Sequence, residues 1–467
     1  MTRTTITRPK RTAVKSKSEN REIRTYRSAL SYLDSLVNWE RVISPNYNSN
    51  NFGLARIGRI LSALGNPHKK FKSAHVAGTK GKGSTSTMLA EMVRACGIKV
   101  GLYTSPHLLE LRERIVVNGE MISESAFARA VAAVAAVTAK AKVASPTYFE
   151  VLTAAAFKHF ADVGVEIAVV ETGLGGRLDA TNIVSPDVVG ITSISFDHMA
   201  QLGNTLESIA REKAGIIKKG VPVVSAPQRD NVKQVLFDTA EAQSAPLRYC
   251  DENVNFSYRF EFSRASGRHA RVCLTTPTSR FEHVQVPLLG EHQAVNCTLA
   301  LGMLDVLKSR GLPIDDQLAV QGLGRVNLPG RMQMINENPR ILIDGAHNAA
   351  SIDALMRGIG QNITYDSMVV IFACHRDKDI PGMIRRLHLG ADKVIFTSTG
   401  TPRSAEPAEL AALYMEHSGK MVQVADNLDE AMQIALRAIS REDLICITGS
   451  FYLIAHAVRK FSAKPTP

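Results

Sequence analysis

Short apolar runs alternate with helical patterns over most of the first two thirds of the chain, between about residues 28 and 324. This alternation is typical of a parallel β-sheet wrapped by helices. Strands are predicted at residues 73–77, 99–104, 166–171, 188–193 and 221–225. Residues 255–289 differ, because aromatic and polar residues alternate there around Gly267, which predicts antiparallel hairpins.

A second apolar series follows the Leu-Pro-Gly turn at residues 328–330. Strands are predicted at residues 340–343, 368–373, 393–397, 421–424 and 444–448, with amphipathic helices that include 404–417 and 428–439. About five β-α units with right-handed crossovers form one open sheet. The predicted fold class is therefore α/β, with an N-terminal P-loop-type parallel-sheet domain that includes the hairpin region and a smaller C-terminal Rossmann-like α/β domain.

The chain has 467 residues, which favours two domains over one. Its formal charge is +12, and residues 1–24 hold eight basic against two acidic residues, so this stretch supplies +6, half of the excess. We interpret residues 1–27 as a basic, disordered arm, with an organelle transit peptide as the alternative. The predicted domains then span residues 28–326 and 327–467.

Two features predict a cytoplasmic protein that does not cross a membrane. The six cysteines are scattered, with no C-x-x-C pair and no metal-ligand spacing, so most are expected to be reduced. The longest segment of small apolar residues, around 131–144, is interrupted by Lys140 and Lys142. Nucleic acid is not expected as a partner either, because no aromatic residue interleaves with the basic residues before Tyr26.

The glycine-rich stretch HVAGTKGKGSTST, residues 75–87, resembles a phosphate-binding loop but departs from the standard pattern. Val76 stands where the first glycine belongs, and Gly83 interrupts the hydroxyl position. The strict motif therefore fails, and a glycine-rich turn without a ligand is the alternative.

The physical requirements of such a loop are nevertheless present. Gly78, Gly81 and Gly83 allow backbone N–H groups to turn towards an anion. Lys82 can reach phosphate oxygens, and Ser84 is predicted to open a helix whose N-terminus favours phosphate. These residues predict phosphate binding.

An acidic residue and an imidazole follow two of the predicted strands. Glu171 ends one strand, and the pair Asp197-His198 follows another. Residues just past the carboxyl ends of parallel strands line the ligand crevice of such sheets. Glu171 and His198 are therefore candidates to converge on Mg²⁺ at the phosphates, although His198 alone is equally compatible with a structural histidine.

Lys213 lies in a predicted helix that is capped by Asn204 or Thr205 and runs to about Gly220. The pattern alone makes Lys213 a solvated helix lysine or the partner of a neighbouring glutamate. It assigns this lysine no chemistry.

Taken together, the motifs resemble the folylpolyglutamate synthase/dihydrofolate synthase family of Mur-ligase-like ATP-dependent amide ligases. The resemblance covers roughly residues 28–455. The matching stretches, in order along the chain, are HVAGTKGKGST, YTSPHL, RERIVVNGE, TYFEVLTAAAF, ETGLGGRLDATN, EKAGIIK, GEHQAVN, PGRMQ, IDGAHN, DKD and TGSFYL.

The resemblance implies roles around ATP and magnesium. The ATP-binding residues would be Gly78, Thr79, Gly81, Lys82, Gly83, Ser84, Asn296, Arg331 and Asp344. The magnesium ligands would be Ser105, Glu171 and His198. The catalytic residues would be Lys82, His198 and Lys213, of which Lys213 matches a lysine that the family carbamylates.

The resemblance also implies the substrate side of the site. The pterin or folate substrate would contact Thr147, Tyr148, Phe149, Glu150 and Asp179. Candidates for the side of the incoming glutamate are His347 and Ser450. One departure stands in the loop itself, where Lys80 replaces the family's usual asparagine and either assists phosphate binding or points outward.

The expected activity is ATP- and Mg²⁺-dependent formation of an amide between L-glutamate and a carboxylate of dihydropteroate or a reduced folate, through an acyl phosphate. Whether the enzyme adds the first glutamate, further ones or both stays open. A monomer is expected. The alternatives are a muropeptide-type ligase, a nucleotide-regulated nucleic-acid-binding protein and a non-catalytic two-domain scaffold.

Overall fold

The computed structural model describes residues 23–40, 48, 52–141, 143–252, 255–263, 267–276 and 278–462. Most of the predicted basic arm, residues 1–22, lies outside the described residues. Within the described part, a helix already begins at Tyr26, where Thr25 and Ser28 form a capping box.

The first sheet has eight strands, ordered β4-β3-β2-β5-β1-β6-β7-β8. In chain order the strands are β1 Lys72–Ala77, β2 Val100–Tyr103, β3 Ile115–Val117, β4 Glu120–Met121, β5 Ile167–Glu171, β6 Val188–Ile191, β7 Val223–Ser225 and β8 Leu247–Tyr249. The pairs from β2 to β8 are parallel, and β3 and β4 form an antiparallel edge. All five predicted strands of this region are therefore present, within one or two residues of the predicted bounds.

Helices cover both faces of this sheet. They are α1 Tyr26–Asp34, α2 Leu54–Ala63, α3 Lys82–Ala95, α4 Glu124–Lys140, α5 Tyr148–Asp162, α6 Met199–Leu202, α7 Leu206–Ala214, α8 Asp230–Ala242, α9 Glu291–Ser309 and α10 Asp316–Leu323. Short 3₁₀ turns lie at Pro67–Lys69, Leu111–Arg114 and Ala180–Ile183. Along β5, Ile167 and Val169 pack with α3 and α9, whereas Ala168 and Val170 pack with α4 and α5. Burial on both faces explains why the central strands are continuous apolar runs.

The predicted hairpin region forms a three-stranded antiparallel sheet, as expected. Its strands are β9 Asn255–Ser263, β10 Gly267–Thr275 and β11 Arg280–Gln285, with β10 in the centre. Val272, Leu274 and Phe281 pack with Leu301 and Leu304 of α9 in one apolar cluster. Helix α9 therefore lies between this sheet and the first one.

The second sheet has six strands, ordered β12-β13-β17-β14-β15-β16. Its strands are β12 Gln333–Glu337, β13 Arg340–Ile343, β14 Met368–Phe372, β15 Lys393–Phe396, β16 Gln423–Val424 and β17 Leu444–Thr448. Its helices are α11 Ala349–Asn362, α12 Ile380–Leu387, α13 Pro407–Ser418, α14 Leu428–Ala438 and α15 Phe451–Ser462. The five predicted parallel strands are present, and β12 adds an antiparallel edge that the pattern did not predict. The predicted boundary at residues 326–329 falls between α10 and β12.

Three helix bounds differ from the predictions. Helix α13 begins at Pro407 rather than at residue 404. Helix α3 begins at Lys82 rather than Ser84, because Gly81 takes a left-handed conformation and caps it. Helix α7 ends at Ala214 rather than near Gly220. There, a Cβ atom on Gly215 would lie 2.4 Å from the Cβ of Arg177, so the end of the helix packs directly on the loop that follows β5.

Candidate active site

A single cleft of about 820 Å³ lies where the carboxyl ends of the first sheet face the second sheet. Every residue that the sequence predicted for the site lines this cleft. The lining includes the glycine-rich loop, the segments after β2, β5 and β6, and the beginnings of α5, α9, α11 and α15. The two halves of the chain therefore share one site.

The glycine-rich loop connects β1 to α3 and packs tightly at two glycines. A Cβ atom on Gly78 would lie 1.7 Å from the hydroxyl oxygen of Thr192, and one on Gly81 would lie 2.1 Å from the amide oxygen of Asn296. Gly81 also has a φ of +82°, which side chains disfavour. Thr79 secures the loop, since its hydroxyl donates to the carbonyl oxygen of Ser195 and accepts from the Ser195 N–H, both at 3.1 Å.

Behind the loop, a lysine faces a buried carboxylate. The ammonium nitrogen of Lys82 lies 3.9 Å from Oε1 of Glu171, and the backbone N–H of Ser105 donates to Oε2 of Glu171 at 3.0 Å. Burial raises the pKa of Glu171, while the Lys82 ammonium opposes that shift. A Cβ atom on Gly83 would lie 3.5 Å from Oε2, an ordinary van der Waals contact, so the carboxylate packs beside Gly83 without requiring a glycine there.

Lys213 is not solvated, and the interpretation from helical periodicity was wrong. Its side chain is buried, only 5% of the residue is exposed, and its ammonium donates to the carbonyl oxygen of Gly78 at 2.7 Å. Burial, with a further contribution from Lys82, lowers the pKa of Lys213 to about 7. Lys213 therefore stabilises the backbone of the glycine-rich loop at Gly78.

His198 and Asp197 lie in the segment after β6 and line the cleft. His198 has a left-handed backbone, with a φ of +49°, and its side chain is exposed to the cleft. The sequence pattern placed Asp197 beside His198 without assigning it a role. In the structure, Asp197 contacts the second half of the chain. Its carboxylate accepts from the Lys378 ammonium and from the Asn348 amide, both at 3.0 Å.

The charges around Asp197 fix its protonation state. Burial alone would raise the pKa of Asp197, but His198, Lys378 and His347 together hold that pKa well below its ordinary value. His347 contributes from 3.8 Å, measured between its Nε2 and a carboxylate oxygen of Asp197. Asp197 is therefore a buried anion that ties the two walls of the cleft together.

Arg331 and Asp344 stand on the second sheet's side. The guanidinium of Arg331 lies 4.9 Å from the ring centre of Phe451, a cation–π arrangement, and Arg331 lines the cleft. The Asp344 carboxylate accepts from the backbone N–H groups of Met332 and Ala346, at 2.9 and 2.8 Å. Burial raises the pKa of Asp344, and Arg331 opposes that shift.

Two other predicted residues lie beside them. The imidazole of His347 pairs through Nδ1 with the carbonyl oxygen of Gly345 at 2.8 Å, and its ring centre lies 5.9 Å from that of Phe451. Ser450 is buried, and its hydroxyl oxygen accepts the Tyr452 N–H at 3.2 Å. His347 therefore packs beside the aromatic ring on which Arg331 rests, and Ser450 directly precedes that aromatic residue in the chain.

The wall predicted to contact the pterin is built around the start of α5. Thr147 caps this helix, and Glu150 accepts from the Thr147 N–H at 2.8 Å and from Nε of Arg56 at 3.0 Å. Tyr148 is buried, and Phe149 packs so closely on the loop after β5 that a Cβ on residue 173 would lie 2.7 Å from its ring. The wall is therefore aromatic and internally braced.

Asp179 also lines this wall, but its carboxylate is fully used within the protein. It accepts from the backbone N–H groups of Gly173 and Leu174 at 3.0 and 2.9 Å, and from the N–H and hydroxyl of Thr181 at 3.0 and 2.5 Å. Its visible effect is to fix the loop after β5.

A network of charged side chains without a predicted role crosses the same end of the cleft. The buried guanidinium of Arg114 pairs with both carboxylate oxygens of Glu40 at 2.7 Å. Arg403, from the second half, donates to the carbonyl oxygen of Glu40 at 2.6 Å and pairs with Asp377 at 2.7 Å. Asp377 and Lys378 lie five and six residues after the end of β14, in the loop at the carboxyl end of that strand, so the strand-end rule that found Glu171 would also have indicated them.

Comparison with known proteins agrees with this geometry. The sequence profile of the Mur ligase middle domain matches residues 76–304, and that of the Mur ligase glutamate ligase domain matches residues 330–451. The dihydrofolate synthase/folylpolyglutamate synthase of Bacillus subtilis is 35% identical over 409 residues, which cover 86% of this chain and 93% of that protein. The chain belongs to the folylpolyglutamate synthase/dihydrofolate synthase family.

Solved structures of this family share the fold at 30% sequence identity. Folylpolyglutamate synthase of Mycobacterium tuberculosis complexed with ADP has a TM-score of 0.84, with 94% of this chain and 99% of that chain covered. FolC of Escherichia coli in complex with DHPP and ADP has a TM-score of 0.82, with 94% and 98% covered. A bifunctional folylpolyglutamate synthase/dihydrofolate synthase with Mn, AMPPNP and L-glutamate bound has a TM-score of 0.78, with 94% and 98% covered.

The donor set of this family member fits a hard divalent cation that keeps much of its water. Within the described residues, no group of three or more His, Cys, Asp or Glu side chains forms a metal cage. Mg²⁺ needs no such cage, since one or two carboxylates and phosphate oxygens hold it. Glu171 supplies a buried carboxylate directly behind the glycine-rich loop, and Ser105 and His198 line the same cleft.

Among the described residues, no helix is long and apolar enough to cross a membrane.

Proposed function

We propose that this protein is an ATP-dependent ligase that joins the amino group of L-glutamate to a carboxylate of a pterin or folate, through an acyl phosphate. One observation carries the proposal. The glycine-rich loop, with Lys82 against Glu171, faces Arg331 and Asp344 across a single cleft. A nucleotide held by the first sheet is thus presented to the second sheet, where an amino acid has room to bind.

Binding of ATP follows from the loop. Its backbone N–H groups and the N-terminus of α3 attract the phosphates, and Lys82 neutralises their charge. Asn296 shapes the loop by packing on Gly81. Arg331 adds positive charge from the opposite wall, and Asp344 holds the turn that carries Arg331 through its bonds to the backbone.

The reaction takes two steps. In the first, a carboxylate oxygen of the pterin substrate attacks the γ-phosphorus of ATP, the bond to the bridging oxygen breaks, and ADP leaves. In the second, the neutral amine of L-glutamate attacks the acyl carbon, phosphate leaves with the bonding electron pair, and the amine proton passes to solvent. Lys82 stabilises the charge on the transferred phosphoryl group, and the cleft excludes water that would hydrolyse the acyl phosphate.

Magnesium would be held by Glu171, Ser105 and His198. When bound, it neutralises phosphate charge and aligns the nucleotide for in-line transfer. The chain's own contribution is to orient these side chains. Glu171 is fixed by the Ser105 N–H, and His198 is fixed by the strained turn after β6.

Carbamylation of Lys213 is part of the proposal. A neutral amine adds to carbon dioxide, forming one C–N bond and releasing one proton. Because burial lowers the pKa of Lys213 to about 7, a large fraction of this amine is neutral at physiological pH. Carbon-13 NMR of protein equilibrated with labelled bicarbonate should show a carbamate resonance that the Lys213→Ala variant lacks, and its absence from the unsubstituted protein would contradict this part.

The pterin or folate would lie along the wall of Thr147, Tyr148, Phe149 and Glu150, where the aromatic side chains supply stacking surface. Asp179 would act there by holding the loop after β5. The incoming glutamate would approach from the side of His347 and Ser450. His347 packs beside the ring under Arg331 and Ser450 precedes that ring in the chain, so an amino acid bound there would lie next to the nucleotide.

The test is ADP release by the full chain with Mg–ATP and L-glutamate, supplied with dihydropteroate or with tetrahydrofolate, and with the products weighed by mass spectrometry. Glutamyl products from both acceptors identify a bifunctional enzyme, and a product from one names the branch. ADP release without any glutamyl product refutes the ligase. Deleting residues 1–24 should leave ligation intact, and light scattering should give the mass of a monomer.

A further inference from the structure

Lys80, at the tip of the glycine-rich loop, points into the cleft and not outward. It lines the cleft between Thr79 and Gly81. Burial lowers the pKa of Lys80 to about 8, and the nearest charges that act on it are the carboxylates of Asp197 and Asp353 and the guanidinium of Arg357. The last two belong to α11, so the Lys80 side chain extends from the loop towards the second sheet.

The ammonium of Lys80 differs from the two other lysines around the loop. Lys82 faces Glu171 at 3.9 Å, and Lys213 donates to the Gly78 carbonyl oxygen at 2.7 Å. Lys80, by contrast, makes no side-chain hydrogen bond and no ion pair within 4 Å in the part of the chain that the structure describes. Lys80 is partly buried, and its ammonium is left without a direct partner among the described residues of the cleft, so it is placed to bind an anion that enters there.

The position of Lys80 identifies which anion this is. The loop is held rigidly below it, because Thr79 is tied to Ser195 through two hydrogen bonds. Lys80 stands two residues before Lys82, on the side of the loop that faces the second sheet, and Lys82 lies on the side of Glu171. In the proposed reaction the acceptor carboxylate attacks the γ-phosphoryl group of ATP, so this group has to lie between the two sheets, on the side of the loop that Lys80 faces.

We propose that Lys80 is a further catalytic residue whose ammonium contacts the γ-phosphoryl group of ATP. It keeps this contact after the phosphoryl group has been transferred to the acceptor carboxylate. This inference rests on the proposed ligase function. Lys80 adds a second positive charge where negative charge spreads during phosphoryl transfer. The asparagine that the family usually carries at this position offers only a neutral amide.

The test compares two nucleotides that differ by that phosphoryl group. Affinities of the full chain for Mg–ADP and for Mg–AMPPNP are measured by calorimetry, in the unsubstituted protein and in Lys80→Asn. The loss of one charged hydrogen bond should weaken AMPPNP by about 10- to 100-fold and leave ADP unchanged. Lys219→Asn, an exposed lysine outside the cleft, is the matched control and should change neither affinity.

Lys80→Arg, which retains the positive charge, should recover part of the preference for AMPPNP. Equal weakening of ADP and AMPPNP would mean that Lys80 only shapes the loop, and two unchanged affinities would mean that it touches no phosphate; either result overturns the proposal. If Lys80→Asn does not fold, as judged by its melting curve, Lys80→Gln takes its place. The comparison needs no turnover, so a protein that binds both nucleotides but forms no glutamyl product refutes the ligase and leaves this test valid.

Discussion

Replacing Lys378 by methionine should destabilise the protein by breaking the ion pair that joins the two walls of the cleft. The Lys378 ammonium lies 3.0 Å from the Asp197 carboxylate, and the side chains are only 11% and 8% exposed. At that distance and an effective dielectric constant of about 20, their attraction is about 5 kcal/mol. Removing one partner of a buried pair typically costs 3–5 kcal/mol, because the other charge stays buried.

Asp197 keeps two donors in the variant, the Asn348 amide at 3.0 Å and the His198 backbone N–H at 2.9 Å. We therefore expect the lower end of that range, a loss of about 3 kcal/mol in the free energy of unfolding measured by urea denaturation at pH 7. Since the pKa of Asp197 is held well below its ordinary 3.8, the advantage of the unsubstituted protein is present above pH 4 and shrinks only in stronger acid.

The matched control is Lys158→Met, which breaks an exposed pair within α5 between Lys158 and Asp162. An exposed i,i+4 pair contributes about 0.5 kcal/mol or less. Double-mutant cycles with Asp197→Asn and Asp162→Asn isolate the two coupling energies. If the coupling of Lys378 to Asp197 is no larger than that of Lys158 to Asp162, the pair does not brace the cleft and our reasoning is wrong.

Three other perturbations test the site and the core. Gly81→Ala should weaken ADP binding by more than about tenfold in calorimetry, because the new Cβ would lie 2.1 Å from the amide oxygen of Asn296. The control is Gly97→Ala, at a similar φ with open space around it, which should leave ADP binding unchanged. His75→Gln should make the free energy of unfolding depend less on pH. Burial lowers the pKa of His75 to about 3, so the unsubstituted protein loses up to about 1.4 kcal/mol of stability per pH unit as the pH falls from about 6.5 towards 3. The variant, measured by denaturation over the same pH range, should lack this loss. Arg331→Ala should lower kcat/KM for ATP by at least about tenfold in the ADP-release assay while exposed Arg325→Ala does not, and full activity of Arg331→Ala would contradict a site shared by both sheets.

The sequence indicated those parts of the site that depend on local backbone geometry. Gly78 and Gly81 are required by the close approach of the loop to its neighbours, and Glu171 follows from its position at the end of a buried strand. Both rules use only residues that are near in sequence. Local patterns also predicted five strands of the first sheet, because burial on both faces produces continuous apolar runs, and the hairpin region, because burial on one face produces alternation.

The residues that were misjudged depend on packing between distant segments. Lys213 belongs to a short helix whose periodicity makes it look solvated, and only the close contact between Gly215 and Arg177 shows that this end of the helix is buried. The pairing of Asp197 with Lys378 joins positions 181 residues apart and leaves no periodic trace. Recognition of the family supplied a role for Lys213 that helix geometry alone does not give.

The strand order of the first sheet has a consequence for how the protein is made. β1 carries the glycine-rich loop, yet its partners β5 and β6 are synthesised about a hundred residues later, and Asn296, which packs on Gly81, later still. The opposite wall, with Arg331, comes after that. A chain still emerging from the ribosome therefore contains the sequence of the glycine-rich loop long before the strands and side chains that fix its conformation, and the cleft is complete only after the second sheet has been synthesised.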